Sequence, residues 1–537
     1  MLTLPLDPTD DRANPVFKDA AGCAQWLGQL QLTNLHLAHG VLRAQLDELN
    51  RYPMRGLERL QTLELLRETV SAIQADYAKK LAAAKLPLST DELTVFVSII
   101  GLWQGMVTGY QRCLQAYMAG DARLIPHGAL LCQRCLLYSG LQIFEHLRTG
   151  YEFDGKLWHQ LHALYAFSEE QGLHLAGVAD SLNGNAIPTS CRAVYARLLL
   201  ACHAYRAELT RNQLQLLDRW LTLWSPTITV ERSYAMSKGD ASPLAVDLSG
   251  SQGLQQLQQV NPSGNVRYLA MVPLSKLLRV KMILLQQGQS PRQLELGEGC
   301  NSAECAWFLN YLHQCCCEGR SDRLAERSVA QKQAQMCYGI ESCFAYIANK
   351  PFKQPDKGAS ENAQQIQAFG RVLSDTDRHD LSGMGFALET WQIKDESILG
   401  ARLLREGSTG MRLGPNQLVA VRPPNANAFM LGAVSWVKVA QTGQLHAGVR
   451  YLPGLPQTIA VKATGINLAV SDKSVAALLL PAVPALKIPA SLIVPRDWFK
   501  PGRVVEIAQA DKAKLDVKME FSVEKGSDYE RVSFSPV

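Results

Sequence analysis

Residues 387–403, ALETWQIKDESILGARL, decide how the C-terminal half of this chain folds. From Trp391 to Lys394 apolar and polar side chains alternate, which is the period of a β-strand with one buried face. The next six residues, DESILG, place a carboxylate and a hydroxyl in a turn whose glycine tolerates a positive φ. Residues 400–403 then enter the next strand, so the stretch predicts two strands joined by a tight turn.

Further runs with the same period surround this pair of strands. Strands are predicted at Met336–Ile347, Ala387–Lys394, Gln417–Arg422, Gly432–Val439 and Ala447–Leu452. Closure into an antiparallel β-barrel removes the open edges of that many short strands. Residues 348–386 are rich in Gln, Asp, Lys, Gly and Pro, and they predict a flexible insertion between the first two strands.

The C-terminal residues 476–537 predict a second small β-domain. The apolar stretch Ala476–Val494 is broken by three prolines, which excludes a membrane-spanning helix there. Residues 515–523 alternate strictly, and the turn EKGS at 524–527 leads into Tyr529–Phe534, which is typical of a β-hairpin.

The N-terminal part of the chain has a helical period instead. Leu60, Leu63, Leu66 and Val70 recur at three- and four-residue steps, so residues 1–223 predict an all-α domain. Residues 224–319 mix short β-like runs with helical stretches and predict a small α/β domain. The fold class is therefore α+β multidomain: a helical domain, the mixed domain, a barrel over residues 320–475 and the C-terminal hairpin domain.

Composition places this chain among soluble intracellular proteins. Its 537 residues carry 54 Lys and Arg against 49 Asp and Glu, a net charge too small to favour general binding to nucleic acid or membranes. Thirteen cysteines in apolar contexts do not form the even framework of a secreted protein, and the N-terminus lacks a signal peptide, so we expect the cytoplasm. Residues 93–111 are uncharged, but Gly101, Gly105 and Gly109 favour tight helix packing over membrane spanning.

Common catalytic and metal motifs are missing from the sequence. It has no phosphate-binding loop ending in Lys-Ser/Thr, no HExxH and no GxSxG. The pair Cys132 and Cys135, and His313 beside residues 315–317 (CCC), are interpreted as core residues because their spacing does not suit a metal. We therefore expect no metal and no cofactor.

One pair of motifs suits an anionic ligand with aromatic faces. Arg323 and Arg327 stand four positions apart before a strand, where two planar guanidinium groups can clamp phosphates and stack on bases. Across the predicted barrel, Asp395, Ser397 and Gly400 form a turn that could accept the donors of a purine base.

RxxxR before the first strand, followed by DxSxxG, resembles the signature of PilZ domains, bacterial receptors for cyclic di-GMP. The later runs GARL at 400–403, QLVAV at 417–421, GAVSW at 432–436 and GVR at 448–450 are similar to later strands of that family. The resemblance implies a six-stranded barrel that binds cyclic di-GMP as a monomer or intercalated dimer. It implies that Arg323 and Arg327 contact phosphates and guanines, while Asp395, Ser397 and Gly400 hold a guanine edge. Arg320 and Lys332 are possible additional contacts.

This resemblance predicts a cytoplasmic cyclic di-GMP receptor, not an enzyme, that passes its state to a protein partner through the helical or the mixed domain. Motility, pili and biofilm production are the processes such receptors serve. The 67 residues between Arg327 and Asp395 keep open a PilZ-like scaffold that does not bind the nucleotide. A single-stranded nucleic-acid binder is disfavoured by the near-neutral charge, and an enzyme by the lack of a positioned base.

Overall fold

A computed structural model of the chain describes residues 2–183, 188–205, 209–318, 328–354, 381–407, 409–424, 426–464, 473–508 and 514–537. The chain divides into two compact units. Unit 1 comprises residues 1–84 and 88–322, and unit 2 comprises residues 85–87 and 323–537.

Helices make up most of unit 1. The described residues form α1 (Ala20–Gln29), α2 (Leu35–Arg51), α3 (Gly56–Ala78), α4 (Thr90–Met118), α5 (Gly128–Thr149), α6 (Gly155–Glu170), α7 (Cys191–Ala204) and α8 (Arg211–Trp224). Reciprocal capping boxes begin α4 (Ser89 and Glu92) and α8 (Thr210 and Gln213). The predicted helical region is confirmed.

Helix α4 contains the uncharged stretch singled out in the sequence. A Cβ at Gly105 would lie 2.7 Å from Leu46 Cδ2, so the missing side chain lets α2 approach closely. Within the described part of the chain, α4 is the one helix long and apolar enough to span a membrane, and half of its most apolar window is buried. That burial is typical of a helix in a protein core.

A small mixed region follows the helices in unit 1. Its strands are β1 (Val230–Glu231), β2 (Leu244–Asp247), β3 (Gln255–Gln256) and β4 (Val266–Leu269), paired antiparallel in the order β1-β4-β2-β3. Helices α9 (Val272–Gln286) and α10 (Ser302–His313) pack against each other. Arg267 on β4 binds Glu169 on α6 at 2.6 Å, which helps to join this region to the helices as one compact unit.

Buried charges hold the centre of the helical region. Arg134 on α5 donates to both carboxylate oxygens of Glu64 on α3 at 2.9 and 3.0 Å, and Arg67 donates to Asp180 at 2.5 Å. Tyr110 also donates to Glu64 at 2.6 Å. Burial alone would raise the pKa of Glu64, but the hydrogen bonds and charge of Arg134 outweigh it and hold that pKa below its usual value.

We predict that Glu64→Gln lowers the unfolding free energy of unit 1 by about 1–3 kcal/mol at pH 7, because Arg134 keeps its charge but loses the closer of its two carboxylate partners, the other being Asp180 at 3.4 Å. Because the folded pKa of Glu64 is depressed, its contribution is present above the unfolded pKa of about 4.3 and disappears as pH falls through the folded value. Denaturant titrations from pH 7 to pH 3 should show a smaller loss of stability in Glu64→Gln than in the wild type. The control is Glu68→Gln on the exposed side of α3, which should keep the pH dependence of the wild type. If the unfolding free energies of wild type and Glu64→Gln depend equally on pH, ionised Glu64 does not stabilise the fold.

The first part of unit 2 is a closed antiparallel barrel. Its strands are β5 (Ser328–Tyr338), β6 (Leu388–Ser397), β7 (Gly400–Arg405), β8 (Leu418–Arg422), β9 (Met430–Val439) and β10 (Leu445–Tyr451), in the order β10-β7-β6-β5-β8-β9. The predicted barrel is confirmed. Residues 85–87 also belong to unit 2, because Leu86 exchanges backbone hydrogen bonds of 2.8 and 2.7 Å with Leu413 in the β7–β8 loop.

The prediction of one strand over Met336–Ile347 is wrong beyond Tyr338. Gly339 has φ +75°, which ends β5, and helix α11 (Gly339–Ala348) follows. Ile340, Cys343 and Phe344 recur at three- and four-residue steps, and all three are buried on one helix face. The sequence of residues 340–344 thus carries a helical period, which the apparent alternation of the preceding strand overlaps.

The flanks of the predicted flexible insertion, residues 348–386, are built into the fold. Phe352 packs edge-on against Phe344 with ring centroids 5.4 Å apart, and Gln354 bonds the backbone of Ser474 at 2.8 and 2.9 Å. Leu381 is buried. The prediction is wrong for these flanks, and its central part, residues 355–380, lies outside the described residues.

The C-terminal hairpin domain is a second closed barrel. Its strands are β11 (Gln457–Ala463), β12 (Val475–Leu480), β13 (Ser491–Pro495), β14 (Val504–Ala508), β15 (Leu515–Lys525) and β16 (Tyr529–Pro536), in the order β11-β12-β13-β16-β15-β14. The hairpin β15–β16 is confirmed, but the boundary at 475/476 is wrong. Strand β11 pairs with β12 and β14, so the second barrel begins at Gln457.

We predict that replacing residues 356–379 by a short Gly-containing linker leaves both barrels folded, since the packed flanks stay in place. Leu381→Ala should instead lower the unfolding free energy of unit 2 by about 2–4 kcal/mol, because it removes a buried side chain. Thermal unfolding of both variants tests this, and an insoluble deletion variant would show that the replaced residues carry core structure.

Candidate ligand site at one end of the first barrel

Strand register brings three side chains side by side at one end of the first barrel. Val329 on β5 is the backbone partner of Asp395 on β6, and Asp395 is the partner of Arg402 on β7. Direct cross-strand partners project from the same face of a sheet. Arg402 Nε lies 3.0 Å from Asp395 Oδ2, so this carboxylate is positioned by an ion pair on the barrel surface.

The turn between β6 and β7 is stabilised by its own side chain. Ser397 Oγ accepts a hydrogen bond from the backbone N–H of Leu399 and donates one to the carbonyl of Gly400, both at 3.3 Å. Tyr451 at the end of β10 donates its backbone N–H to Leu399 at 2.9 Å. The turn therefore holds Asp395 and Ser397 at fixed positions.

Position 400 requires glycine because there is no space for a side chain, and not because of its backbone conformation. Glycine tolerates a positive φ, but Gly400 is not among the residues with positive φ, so this turn does not use that tolerance. A Cβ at this position would lie 2.2 Å from the carbonyl oxygen of Val449 on β10. Close approach of β10 and β7 thus leaves no room for a side chain here.

A second ion pair and a tyrosine lie at the same end of the barrel. Lys332 Nζ is 3.0 Å from Glu396 Oε1. Burial, together with the charge of Glu396, raises the pKa of Tyr451 to about 12, so its hydroxyl stays protonated at neutral pH. Among the described residues, the buried Tyr451 hydroxyl has no hydrogen-bond partner.

The structure brings together four of the residues predicted from sequence: Asp395, Ser397, Gly400 and Lys332. Arg320, Arg323 and Arg327 lie outside the described residues. Sequence reasoning missed Arg402, Glu396 and Tyr451. A signal existed for Arg402, since a residue two positions after a tight turn lies opposite the residue two positions before it, and Asp395 and Arg402 have opposite charges.

The other sequence candidates lie in protein cores. Cys132, Cys135 and the run Cys315–Cys317 are buried, and His313 is held by Ser275, Arg279 and Glu318 at 3.0–3.1 Å. Within the described ranges, no group of three His, Cys, Asp or Glu side chains could hold a metal ion. Cys300 and Cys305 form a disulfide, and the other eleven cysteines are not disulfide-bonded.

Comparisons with known proteins match both ends of the chain. The model of the N-terminal domain of the cyclic-di-GMP receptor FimW matches residues 20–234, and that of the FimW C-terminal β-barrel domain matches residues 464–537. The cyclic-di-GMP receptor FimW of Pseudomonas aeruginosa is 22% identical over 549 residues, covering 93% of this chain and 88% of that protein.

The chain is homologous to the cyclic-di-GMP receptor FimW, because models for both of its terminal domains match in order and a relative aligned over 93% of this chain spans the region between them. The predictions of a receptor family and of a binding protein instead of an enzyme are confirmed. The matched family models are named for FimW, whereas the sequence motifs resemble those of PilZ domains.

We predict that Gly400→Ala lowers the unfolding free energy of unit 2 by roughly 2 kcal/mol or more, since β10 or β7 must move to admit the methyl group. Denaturant unfolding measures this. Gly414→Ala is the matched control, because its Cβ would make an ordinary 3.5 Å contact with Lys85. Equal midpoints for the two variants would show that the turn is not sterically constrained.

Proposed function

We propose that this chain is a bacterial cyclic di-GMP receptor whose ligand binds at the Asp395 end of the first barrel. Asp395, Ser397 and Gly400 hold the edge of a guanine, while Arg323 and Arg327 contact phosphates and bases; Arg320 and Lys332 are further contacts. No cofactor takes part beyond the ligand. The proposal places the protein in the cytoplasm and assigns an unidentified protein partner to unit 1.

One observation carries the choice of site. Strand β5 begins at Ser328, which pairs with Glu396, and Val329 pairs with Asp395. Arg327 directly precedes Ser328 in the sequence. The strand that follows the RxxxR motif in sequence thus begins beside the DxSxxG turn, which supports assigning both motifs to one ligand although 67 residues separate them.

The chemistry at this end of the barrel suits the two parts of the ligand. A carboxylate can accept the two parallel N–H donors on the edge of guanine, and arginine forks bind phosphate oxygens while stacking on bases. Residues 320–327 also span the boundary between units 1 and 2 in the chain. Binding there is suited to pass ligand state from the barrel to the rest of the protein.

We predict that Arg323→Ala, Arg327→Ala and Asp395→Ala each weaken cyclic di-GMP binding about ten- to a hundredfold, since each removes a charge-assisted hydrogen bond. Titration calorimetry on the full chain measures this. Lys at either arginine position should restore part of the affinity, because it keeps the charge but cannot fork or stack. Arg496→Ala, at a half-exposed arginine of the second barrel, is the control.

A scaffold that does not bind the nucleotide is the second candidate. The pairs Asp395–Arg402 and Lys332–Glu396 satisfy both carboxylates within the barrel itself, as such a scaffold would require. Wild-type protein that gives no heat and no thermal shift with cyclic di-GMP would favour the scaffold and contradict the receptor proposal.

A further inference from the structure

The two most exposed large apolar side chains of the described residues both lie at the candidate site. Ile398 is 87% exposed and Val329 is 86% exposed. Val329 is the cross-strand partner of Asp395, and Ile398 directly follows Ser397. A single exposed apolar residue is ordinary. Two of them near Asp395, the carboxylate to which the proposal assigns a guanine edge, need a physical explanation.

Ile398 occupies an unusual position for an apolar side chain. Ser397 pairs with Gly400, so Ile398 and Leu399 alone form the connection between β6 and β7. Such two-residue connections favour Gly, Asn and Asp. Here Ser397 Oγ and the backbone N–H of Tyr451 both bond to the backbone of Leu399 and fix the connection, which leaves Ile398 exposed to solvent.

We propose that Val329 and Ile398 form the base-stacking surface of the site and pack against the flat faces of the ligand's purines. This inference rests on the proposed function and names how the same site holds its ligand. When Asp395 accepts the hydrogen-bond donors on the edge of a guanine, the plane of that base lies beside the side chains that project from the same barrel face as Asp395. Val329, with its Cβ about 5 Å from that of Asp395, is such a neighbour.

The charges of the site explain why apolar contact is needed there. Asp395 and Glu396 are paired with Arg402 and Lys332, so these two ion pairs carry no net charge toward the ligand. Covering Asp395 with apolar groups excludes water and strengthens its hydrogen bonds to a base. Purine faces are apolar and polarisable, and they gain free energy when aliphatic side chains cover them.

The test is calorimetry of cyclic di-GMP binding to the full-length variants Val329→Ser and Ile398→Ser at several temperatures. We expect each to bind roughly five- to tenfold more weakly, from loss of partial burial of one aliphatic side chain. The heat-capacity change of binding should become less negative, because less apolar surface is buried. Ile398→Trp should bind more tightly, since an aromatic ring stacks better on a purine.

Two controls separate this role from others. Leu486→Ser removes a similarly exposed leucine, 58% accessible, from the second barrel and should leave binding unchanged. Asp395→Ala should weaken binding with little change in heat capacity, because it removes a polar contact. All substituted apolar side chains are exposed, so unchanged thermal unfolding is expected.

The outcomes distinguish this inference from the function on which it rests. Wild type that does not bind cyclic di-GMP overturns both. Wild type that binds, with Val329→Ser and Ile398→Ser within twofold of its affinity and heat capacity, overturns only the stacking surface and leaves the receptor.

Discussion

Unit 2 depends on one apolar core that its two barrels share. Cys343 and Phe344 of α11 lie in the same buried cluster as Leu431 on β9, Leu478 on β12 and Tyr529 on β16. Because both barrels and the helix contribute to one cluster, neither barrel buries its apolar residues fully without the other. The two barrels therefore form one structural body, and the candidate site is placed on its surface.

Polar contacts fix the same arrangement. Asp528, in the turn of the second barrel, accepts the backbone N–H of Leu418 at 2.8 Å, and burial raises the pKa of this carboxyl group. Arg450 on β10 binds Glu524 on β15 at 2.6 Å and is also the backbone partner of Gly400. The strand beside the candidate turn is thus joined directly to the second barrel, so a change in this turn has a short path to the C-terminal domain.

Short-range patterns in the sequence predicted most of the fold and part of the site. Alternation predicted β6 and the β15–β16 hairpin, and the DxSxxG turn placed Asp395, Ser397 and Gly400 together. Errors arose where two periods overlap, as in residues 336–347, where a strand runs into helix α11 after one glycine. Barrel closure also depends on distant partners: β11 belongs to the second barrel because it pairs with β14, over forty residues away, and no local pattern reports that pairing.

Electrostatics explain how a nearly neutral protein could hold a ligand with two negative charges. The described part of the site pairs Lys332 with Glu396 and Arg402 with Asp395, while residues 320–327 carry three arginines against Asp322 and Glu326. Long-range attraction is therefore small, and screening by salt reduces it further. Affinity at such a site has to come from contacts at close range: arginine forks on phosphates, a carboxylate on a base edge and apolar side chains on base faces. This requirement gives an exposed valine and isoleucine beside Asp395 a physical role that a more basic site would not need.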